Sequence, residues 1–456
     1  MNQSNMLTGS PGKTLFLFAV PMMIGNLFQQ LYNLVDSAVV GKYVGENALA
    51  AVGASYSITN VFIAIAIGGG IGSSVIISQY LGAGNIRKMK TSIYTALFNF
   101  LGISLFLGVF GAFFHRQILI WMDTPQNVLA EAGIYLKIYF YGLPFLFMYN
   151  ILASIFNSMG DSKTPLCLLI FSSVLNIFFD LAFVIGLDLG VLGVAVGTLI
   201  AQGISSIVSF LLLMRRLKAN YQTNGLSDSP QTSDPQKIYS RTITWKMTKI
   251  GVPSILQQSI VYIGMLLVQV VVNSFGSSVM AGYTAGMRIE SICIVPMTAV
   301  GNAMSSFSAQ NLGARQPERV KQAYKACYLI DASIAVFLCL ILHLFGNTFL
   351  SGFLDASSGT EAYSVASAYM IFQSFFYIFI GLKCCTDAIL RASGDMLIFT
   401  LANLVNLALR VFIANHFAHS WGIQAIWMAV PIGWSINYLI SLLRVLTGKW
   451  KKIHLI

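Results

Sequence analysis

Charged residues are scarce in this sequence, and so are histidine and cysteine. Only 9% of the 456 residues are Asp, Glu, Lys or Arg, and the chain holds five histidines and six cysteines. A typical soluble domain carries roughly 25% charged residues, so this chain lacks the charge needed to cover a surface in water. Its hydrophobic fraction of 56% agrees with that exclusion. The composition therefore predicts a protein that is embedded in a lipid bilayer.

The few cysteines and histidines also limit the chemistry available to the chain. The cysteines lie mostly inside apolar segments without CxxC spacing, which favours packing roles over disulfides or metal ligands. The sequence also lacks HExxH and GxSxG motifs and any intramembrane cluster of histidines. We therefore expect neither an enzyme nor a resident cofactor. The cysteines in question are Cys167, Cys293, Cys327, Cys339, Cys384 and Cys385.

Long apolar stretches occur throughout the chain. A helix needs roughly 20 mostly apolar residues to cross the bilayer core. The sequence contains twelve such stretches, and their length and lack of alternating polarity favour helices over barrel strands. The predicted spans are residues 15–41, 47–81, 91–114, 131–158, 165–187, 190–214, 247–275, 279–312, 324–350, 361–390, 397–418 and 421–446.

One long polar segment interrupts this pattern, at residues 218–246. It is rich in Ser, Thr, Asn, Gln, Asp and Pro, and it divides the twelve spans into six and six. Such a composition is typical of a flexible linker. We therefore expect an N-terminal lobe at residues 1–217 and a C-terminal lobe at residues 247–456.

The net charge of +11 carries information about topology. If the N-terminus and every second loop lie on one side, that side holds 21 Lys and Arg residues, and the other holds only Lys42 and Arg116. The positive-inside rule then places both termini and the linker in the cytoplasm. Basic residues separated by long apolar helices cannot line a nucleic-acid groove. We expect a multi-pass, monomeric protein of the cell (plasma) membrane that binds no nucleic acid.

The second half of the chain repeats the first at an offset of about 231 residues. Because six spans is an even number, both halves enter the membrane in the same direction. The predicted fold is an all-α membrane protein with twelve transmembrane helices in two six-helix lobes, related by a pseudo-two-fold axis along the membrane normal. Matching segments include Gln79 to Ala83 with Gln310 to Ala314, Val20-Pro21 with Val252-Pro253, and Gly160-Asp161 with Gly394-Asp395.

Two acidic residues inside the predicted spans have no counterpart in the repeat. Asp36 aligns with Leu267 or Val268, and Asp180 aligns with Arg410. A charge within a span costs about 2.5–3.5 kcal/mol on insertion scales. Two such carboxylates in one half therefore indicate a function that the other half does not share.

Further polar residues share helical faces with these acids and lie at similar depths in the outer half of the membrane. Carboxylates, an amide and a hydroxyl suit Na⁺, or a proton shared by two acids. The alternative is that these groups only hydrogen-bond neighbouring helices. The residues on these faces are Gln29, Tyr32, Asn33 and Asp36 on the first span, Asn176 and Asp180 on the fifth, and Thr198 and Gln202 on the sixth.

Several segments also carry a family resemblance. They include VPMMIGNLFQQLYNLVDSAVVGKYVG in the first span, SQYLGAG after the second, NSMGDSKTP after the fourth and VLNIFFDLAFVIG in the fifth. With these segments the chain resembles the multidrug and toxic compound extrusion (MATE) transporters along almost its whole length. The resemblance implies the MATE fold, with two six-helix lobes around a central cavity. It also implies export of bulky, often cationic drugs in exchange for H⁺ or Na⁺.

The resemblance also assigns roles to individual residues. In the DinF-like branch of the family, the cation site would comprise Asp36, Asn176, Asp180 and Thr198, which would be metal ligands if the coupling ion is Na⁺. The NorM-like branch uses a glutamate in the seventh span, where this chain has Gln257 and Gln258. The family's drug contacts would correspond to Gln29, Tyr32 and Gln202, and we expect Asn33, on the same face, to bind substrate too.

Two transport functions remain open at this stage. The first is an antiporter that exports small-molecule drugs or toxic organic cations from a cell whose lipid bilayer surrounds it. The second is a flippase for lipid-linked saccharides, which belongs to the same superfamily. A flippase requires a cationic cavity for pyrophosphate, for which Lys137, Lys383 and Arg410 are candidates.

Overall fold

The computed structural model describes residues 6–44, 46–122, 124–222, 237–354, 359–453 and 455–456, and all regular secondary structure within them is helical. A π-helical turn follows α1 at Val40–Val44, and another follows α5 at Ala182–Gly186. The helices are α1 (Pro11–Val39), α2 (Glu46–Gly82), α3 (Ile86–Trp121), α4 (Gln126–Ser158), α5 (Lys163–Leu181), α6 (Gly190–Gln222), α7 (Arg241–Asn273), α8 (Ser277–Cys293), α9 (Val295–Gly313), α10 (Pro317–Leu350), α11 (Gly359–Ser374), α12 (Tyr377–Ser393), α13 (Met396–Trp421) and α14 (Ile423–Leu446).

The helices confirm the predicted all-α membrane fold. Eleven stretches of the described chain are long and apolar enough to cross a membrane. The pair α11 and α12, bent by 50° at the break between them, makes a twelfth if it is counted as one span. One of the eleven, Ser277–Gly313, combines α8 and α9, which part at Ile294 just before Pro296. Proline has no N–H to continue the helical hydrogen bonds, which accounts for a break at this point.

The chain forms two compact units. The first-half unit comprises Phe28–Leu81 and Asn85–Gly251, and the second-half unit comprises Met1–Leu27, Gly82–Gly84 and Val252–Ile456. The segment that precedes the first half, up to Leu27, therefore clusters with the second half, and the segment that precedes the second half, up to Gly251, clusters with the first half. The predicted lobe boundaries stay a prediction, and residues 223–236 of the predicted linker lie outside the described part of the chain.

Hydrogen bonds hold both leading segments in place. In the second-half unit, Arg319 donates from Nη1 to the Gly9 carbonyl at 3.0 Å, and Asn311 donates from Nδ2 to the Met6 carbonyl at 3.1 Å. In the first-half unit, the Thr91 hydroxyl donates to the Lys237 carbonyl at 2.8 Å. Each side chain satisfies a carbonyl that precedes a helix, where the backbone has no regular partner of its own.

Helix packing follows the same order in both units. In the first-half unit α3 packs on α4, α4 on α6, and α5 on α6. In the second-half unit α10 packs on α11 and α12, α12 on α14, and α13 on α14. Since these are the corresponding spans of the two halves, the sequence repeat extends to the packing within each unit.

An ion pair is repeated as well. Asp161, just after α4, binds Arg216 of α6, and Asp395, just after α12, binds Arg444 of α14. Asp161 also accepts a hydrogen bond from the Thr164 backbone N–H at 3.1 Å. Burial raises the pKa of Asp161, but the hydrogen bonds from Thr164 and Arg216 outweigh it and hold this pKa below its ordinary value. An element that occurs in both halves belongs to the scaffold.

The structure corrects the prediction for the cysteines. Cys327 of α10 and Cys385 of α12 are joined in a disulfide, so they do more than fill space in the core. The two are 58 residues apart and lie on different helices. Spacing rules detect local motifs such as CxxC, and they cannot detect a pair that only helix packing brings together. Among the described cysteines the remaining four are free.

Candidate functional site

A polar pocket lies in the first-half unit between α1, α5 and α6. It encloses about 350 Å³. Five of the predicted site residues from the first, fifth and sixth spans line it together with Tyr149 of α4. Among the lining residues, Gln29, Tyr32 and Gln202 are predicted substrate contacts, and Asn176 and Thr198 are predicted ion ligands. The full lining is Gln29, Tyr32, Tyr149, Leu169, Ser172, Ser173, Asn176, Thr198, Ala201 and Gln202.

The side-chain amide of Asn176 connects the residues around this pocket. In the orientation that satisfies both ends of the amide, its nitrogen donates to the Tyr32 hydroxyl oxygen at 2.9 Å and to Asp180 Oδ2 at 3.1 Å. Its oxygen accepts from the Thr198 hydroxyl at 3.0 Å. One buried amide therefore links α1, α5 and α6, and a change at any of the three partners changes the bonding of the others.

The α5 helix presents its polar residues on one buried face. Ser173, Asn176 and Asp180 lie three and four residues apart, which places them in one row along a helix, and each is at most 3% exposed. A buried carboxylate and amide are costly unless they are hydrogen-bonded, so their bonds to each other and to Thr198 are what allows this row to lie inside the protein.

Glycine on α6 makes room for the acid. A Cβ atom at Gly197 would overlap with Asp180 Oδ1, and one at Gly193 would lie 3.0 Å from the Phe183 Cβ. The GxxxG spacing in α6 therefore lets α5 approach closely, as it does in many membrane helix pairs. This contact sets the position of the Asp180 carboxylate beside Thr198.

Both predicted acids of the first half precede a π-helical turn. Asp36 lies four residues before Val40–Val44, and Asp180 lies two residues before Ala182–Gly186. Val40 and Val184 of these two turns pack together in one buried cluster with valines of α6. Single π-helical turns are rare and occur frequently at functional sites. Their packing brings the ends of α1 and α5 to the same part of α6.

The structure accounts for most of the predicted site residues. It brings Tyr32, Asn176, Asp180 and Thr198 together in one network, and it places Gln29 and Gln202 in the same pocket. Asn33 does not line the pocket; it is exposed, and its Oδ1 accepts a hydrogen bond from Gln29 Nε2 at 3.1 Å. The backbone of Asp36 lies in α1, but its side chain is outside the described part of the structure.

Other contributors were missed at the sequence level. Tyr149 and Leu169 line the pocket, although neither carries a charge that marks it in the sequence. Asp331 is an acid buried inside α10 of the second half that the sequence prediction did not include. The repeat carries a signal for it, because Phe100 and no acid stands 231 residues before Asp331.

The second half binds its buried acids in a different way. Lys383 donates from Nζ to Asp387 Oδ2 at 3.0 Å, and the Ser441 hydroxyl donates to Asp387 Oδ1 at 2.8 Å. Glu290 accepts a hydrogen bond from the Tyr369 hydroxyl. Asp387 therefore has a cation and a hydroxyl as partners, and the i, i+4 spacing of Lys383 and Asp387 brings the two charges together on one helical face.

Comparison with known proteins assigns the family. The MatE family model matches residues 21–182 and 253–415, which is one copy in each half of the chain. The chain belongs to the MatE family. The MATE resemblance seen in the sequence is thereby confirmed, and the two matched ranges coincide with the internal repeat.

Individual MATE relatives cover nearly the whole chain. The probable multidrug resistance protein YoeA of Bacillus subtilis is 30% identical over 437 residues, which is 94% of this chain and 92% of YoeA. The probable multidrug resistance protein YpnP of the same organism is 28% identical over 448 residues, 98% of this chain and 97% of YpnP. The chain is thus a multi-pass membrane protein of a multidrug efflux transporter family, whose members are not enzymes and need no cofactor.

A solved structure supports the fold. An outward-facing multidrug resistance MATE family transporter of the MOP superfamily superimposes with a TM-score of 0.89 at 23% identity, and the match covers 99% of both chains. At this level of identity the likeness concerns the fold. It agrees with the helix count and packing found here for the MATE chain.

Proposed function

We propose that this MATE protein is a cation-coupled antiporter that exports bulky, often cationic molecules in exchange for H⁺ or Na⁺. The observation that carries the proposal is the Asn176 network. Asn176 and Thr198 line the pocket and at the same time hydrogen-bond each other, while Asn176 also bonds Asp180. A substrate in the pocket and an ion at the carboxylate therefore act on the same two side chains.

Shared residues provide a route for coupling. If an ion or proton at Asp180 breaks the bond from Asn176, the amide turns and alters the pocket wall at Tyr32 and Thr198. Binding of the substrate and binding of the ion then favour different arrangements of one network. Linked binding is reciprocal, so each ligand lowers the affinity for the other, as exchange transport requires.

A proton and Na⁺ would change this arrangement in different ways. The Asn176 nitrogen, which donates hydrogen bonds, faces Asp180, and its oxygen faces Thr198. Na⁺ prefers oxygen ligands, so binding between Asn176 and Asp180 requires the amide to rotate. A proton on the carboxylate requires only that one hydrogen bond be replaced. For Na⁺, the oxygen ligands would come from Asp36, Asn176, Asp180 and Thr198.

The charge of the sequence around the site suits cationic substrates. The sequence from residue 164 to residue 214, which contains α5 and most of α6, has no Lys, Arg or His. The carboxylates of Asp36 and Asp180 then give this region a negative character that attracts a positively charged molecule. We infer the orientation from the 21 basic residues on one side, which place both termini in the cytoplasm.

The flippase alternative has less support. A flippase needs cationic groups in its cavity, and Lys383 is instead bound to Asp387 inside the second half. Lys137 does not line the polar pocket and is exposed. Among the described residues, no Lys or Arg lines that pocket, which suits an anionic pyrophosphate poorly.

Transport by purified protein in proteoliposomes tests the proposal. Ethidium efflux is measured with a pH gradient and with a Na⁺ gradient imposed separately. We expect the wild type to respond to one of these gradients. We expect Asp36→Asn and Asp180→Asn to lose that response, because an amide cannot exchange a proton or balance the charge of Na⁺.

Asp188→Asn is the matched control. Asp188 is exposed and lies close to Asp180 in the sequence, and its φ of 52° is one that Asn also adopts readily. This variant should transport like the wild type. Gradient-driven efflux at the wild-type rate by both Asp36→Asn and Asp180→Asn would contradict the proposal.

A further inference from the structure

A cluster of lysines lies at one end of α2, α3 and α7 in the first-half unit. Lys88 of α3 and Lys246 of α7 both place Nζ over the ring of Tyr80, at 5.7 Å and 5.8 Å from its centroid. Tyr80 is buried near the end of α2. Another lysine of α7, Lys249, lies over the ring of Trp245 at 5.5 Å. Side chains from three helices therefore meet at one place.

Helix contacts hold this arrangement in place. The α2 and α7 helices approach each other closely at Gly72, where an added Cβ would lie 2.6 Å from the Gly251 backbone nitrogen. The start of α7 is also tied to α3, because Asn99 donates from Nδ2 to the Thr244 hydroxyl oxygen at 3.0 Å. The lysines thus extend from helices whose backbones are packed against one another.

The cluster has no acidic partner. The sequence contains no Asp or Glu at residues 85–122 or 237–251, which cover α3 and the first part of α7. Among the described residues, no carboxylate lies within ion-pair distance of Lys88, Lys246 or Lys249. The charges of Lys88 and Lys246 repel each other. An anion bound between the helices would relieve this repulsion.

The internal repeat provides a control for this cluster. At an offset of 231 residues, Arg319 takes the position of Lys88. Asn311 takes the position of Tyr80. In the second-half unit, Arg319 donates from Nε to Asn311 Oδ1 at 3.0 Å and from Nη1 to the Gly9 carbonyl at 3.0 Å. That cation is satisfied within the fold, whereas the first half keeps a cation at the same position without such an acceptor.

The surroundings of the lysines favour a lipid as the source of the anion. Trp245 and Tyr239, both at the start of α7, are 61% and 48% exposed. Such aromatic side chains are enriched where a bilayer meets water, and lysines at that boundary attract anionic headgroups. A soluble anion would bind the lysines but would leave these exposed rings without a partner. A phospholipid can contact both.

We propose that Lys88 and Lys246, assisted by Lys249, bind the phosphate of an anionic phospholipid such as phosphatidylglycerol, with Trp245 beside its glycerol and acyl chains. None of these residues lines the Asn176 pocket, so the lipid site is separate from the candidate transport site. The proposal does not depend on the antiport function. It assigns to the first half a ligand that the equivalent place in the second half has no free cation to bind.

Quenching of tryptophan fluorescence by brominated lipids tests this site. The protein is reconstituted in phosphatidylcholine vesicles with increasing fractions of dibrominated phosphatidylglycerol or dibrominated phosphatidylcholine. The Trp245 signal is the difference between each variant and the same variant with Trp245→Phe. We expect the wild type to prefer phosphatidylglycerol by about tenfold or more, because each lysine near a membrane surface favours anionic lipid by about fivefold. Lys88→Gln and Lys246→Gln should each lower this preference severalfold, and the double variant should bind the two lipids about equally.

Lys451→Gln is the matched control. Lys451 lies over the ring of Trp450 at 5.8 Å, but it is already paired with Glu318 at 3.1 Å, so its loss should leave the preference unchanged. Neither Lys88 nor Lys246 is buried, so their variants should fold. Equal quenching by the two lipids in the wild type, or a preference that the double variant keeps, would overturn the proposal. Calorimetric binding of inorganic phosphate in detergent, without a lipid preference in vesicles, would assign the lysines to a soluble anion and would overturn it too.

Discussion

The two halves of this protein share a scaffold, but one buried carboxylate in each half, Asp387 and Asp180, has a different kind of partner. Asp161 with Arg216 and Asp395 with Arg444 are equivalent pairs, one in each unit. Deeper in the helices the equivalence ends. Asp387 of the second half is bound by Lys383, whereas Asp180 of the first half accepts its hydrogen bond from the amide of Asn176.

This difference separates a structural role from a functional one. A carboxylate held by lysine and serine, such as Asp387, has its charge balanced by the lysine and both of its oxygens hydrogen-bonded. A carboxylate held by an amide can exchange that partner for a proton or an ion at a lower cost. Of the two arrangements, the one in the first half is suited to a transport cycle.

The backbone geometry near the site also differs between the first half and the second half. Within the described residues, both π-helical turns lie in the first half, directly after the helical turns that contain Asp36 and Asp180. The corresponding helices of the second half, α7 and α13, continue without such a turn to Asn273 and Trp421. A π-helical turn leaves the regular hydrogen-bond ladder, which makes it a natural place for a helix to change conformation.

The largest expected effect comes from breaking the buried pair of the second half. Lys383→Met leaves Asp387 buried without its cation, and such changes cost about 3–5 kcal/mol. We expect a large drop in the unfolding midpoint in detergent. The double variant Lys383→Met/Asp387→Leu should recover much of it, because both charges are then removed.

Asp180→Asn is the comparison for that experiment. It keeps the shape of the side chain and should change the midpoint little, although it abolishes gradient-driven transport. If Asp180→Asn lowered the midpoint as far as Lys383→Met does, the division between a structural and a functional carboxylate would be wrong.

A smaller effect is expected from the glycine that positions the acid. Gly197→Ala places a methyl group against Asp180 Oδ1, and overpacking of this kind costs about 1–3 kcal/mol. We expect ethidium transport to fall by about tenfold or more, since tenfold corresponds to roughly 1.4 kcal/mol. Gly203→Ala, on the same helix, makes only an ordinary contact and should transport normally. Equal rates for the two alanine variants would remove the argument that Gly197 sets the position of Asp180.

The smallest effect concerns the repeated ion pair and its pH dependence. The folded pKa of Asp161 lies below its ordinary value, so its pairing stabilises the protein at neutral pH and stops doing so as the pH falls below about 4. We expect Asp161→Asn to lower the unfolding midpoint by no more than about 2 °C at pH 7. This difference from the wild type should shrink progressively as the pH is lowered below about 4, through the lowered pKa of the folded Asp161 carboxyl. Asp395→Asn should give a similar loss at pH 7, and a loss in only one of the two would show that the pairs are not equivalent.

The helical fold and much of the site were predictable from the sequence. Apolar length identified the spans, because a bilayer requires about 20 apolar residues in a helix. The scarcity of charge made Asp36 and Asp180 stand out, and helical periodicity placed Asn176 and Thr198 with them.

Other features depend on contacts between distant parts of the chain. Asn33 shares a helical face with Tyr32, yet only Tyr32 lines the pocket, because periodicity defines a face and not its neighbours. The Cys327–Cys385 disulfide depends on how α10 and α12 pack. The contact between Val40 and Val184, one in each π-helical turn, depends on how the ends of α1 and α5 meet α6.

Composition, span length, the distribution of basic residues and the internal repeat were determined by the sequence alone, because each depends on local chemistry or on the bilayer. The tertiary structure decided which polar groups meet. Only the close approach of α5 to Gly197 on α6 brings Asp180, Asn176 and Thr198 within hydrogen-bonding reach and places Tyr32 opposite them. A hydrogen bond tolerates a change of only a few tenths of an ångström in its donor–acceptor distance, and helix packing sets that distance.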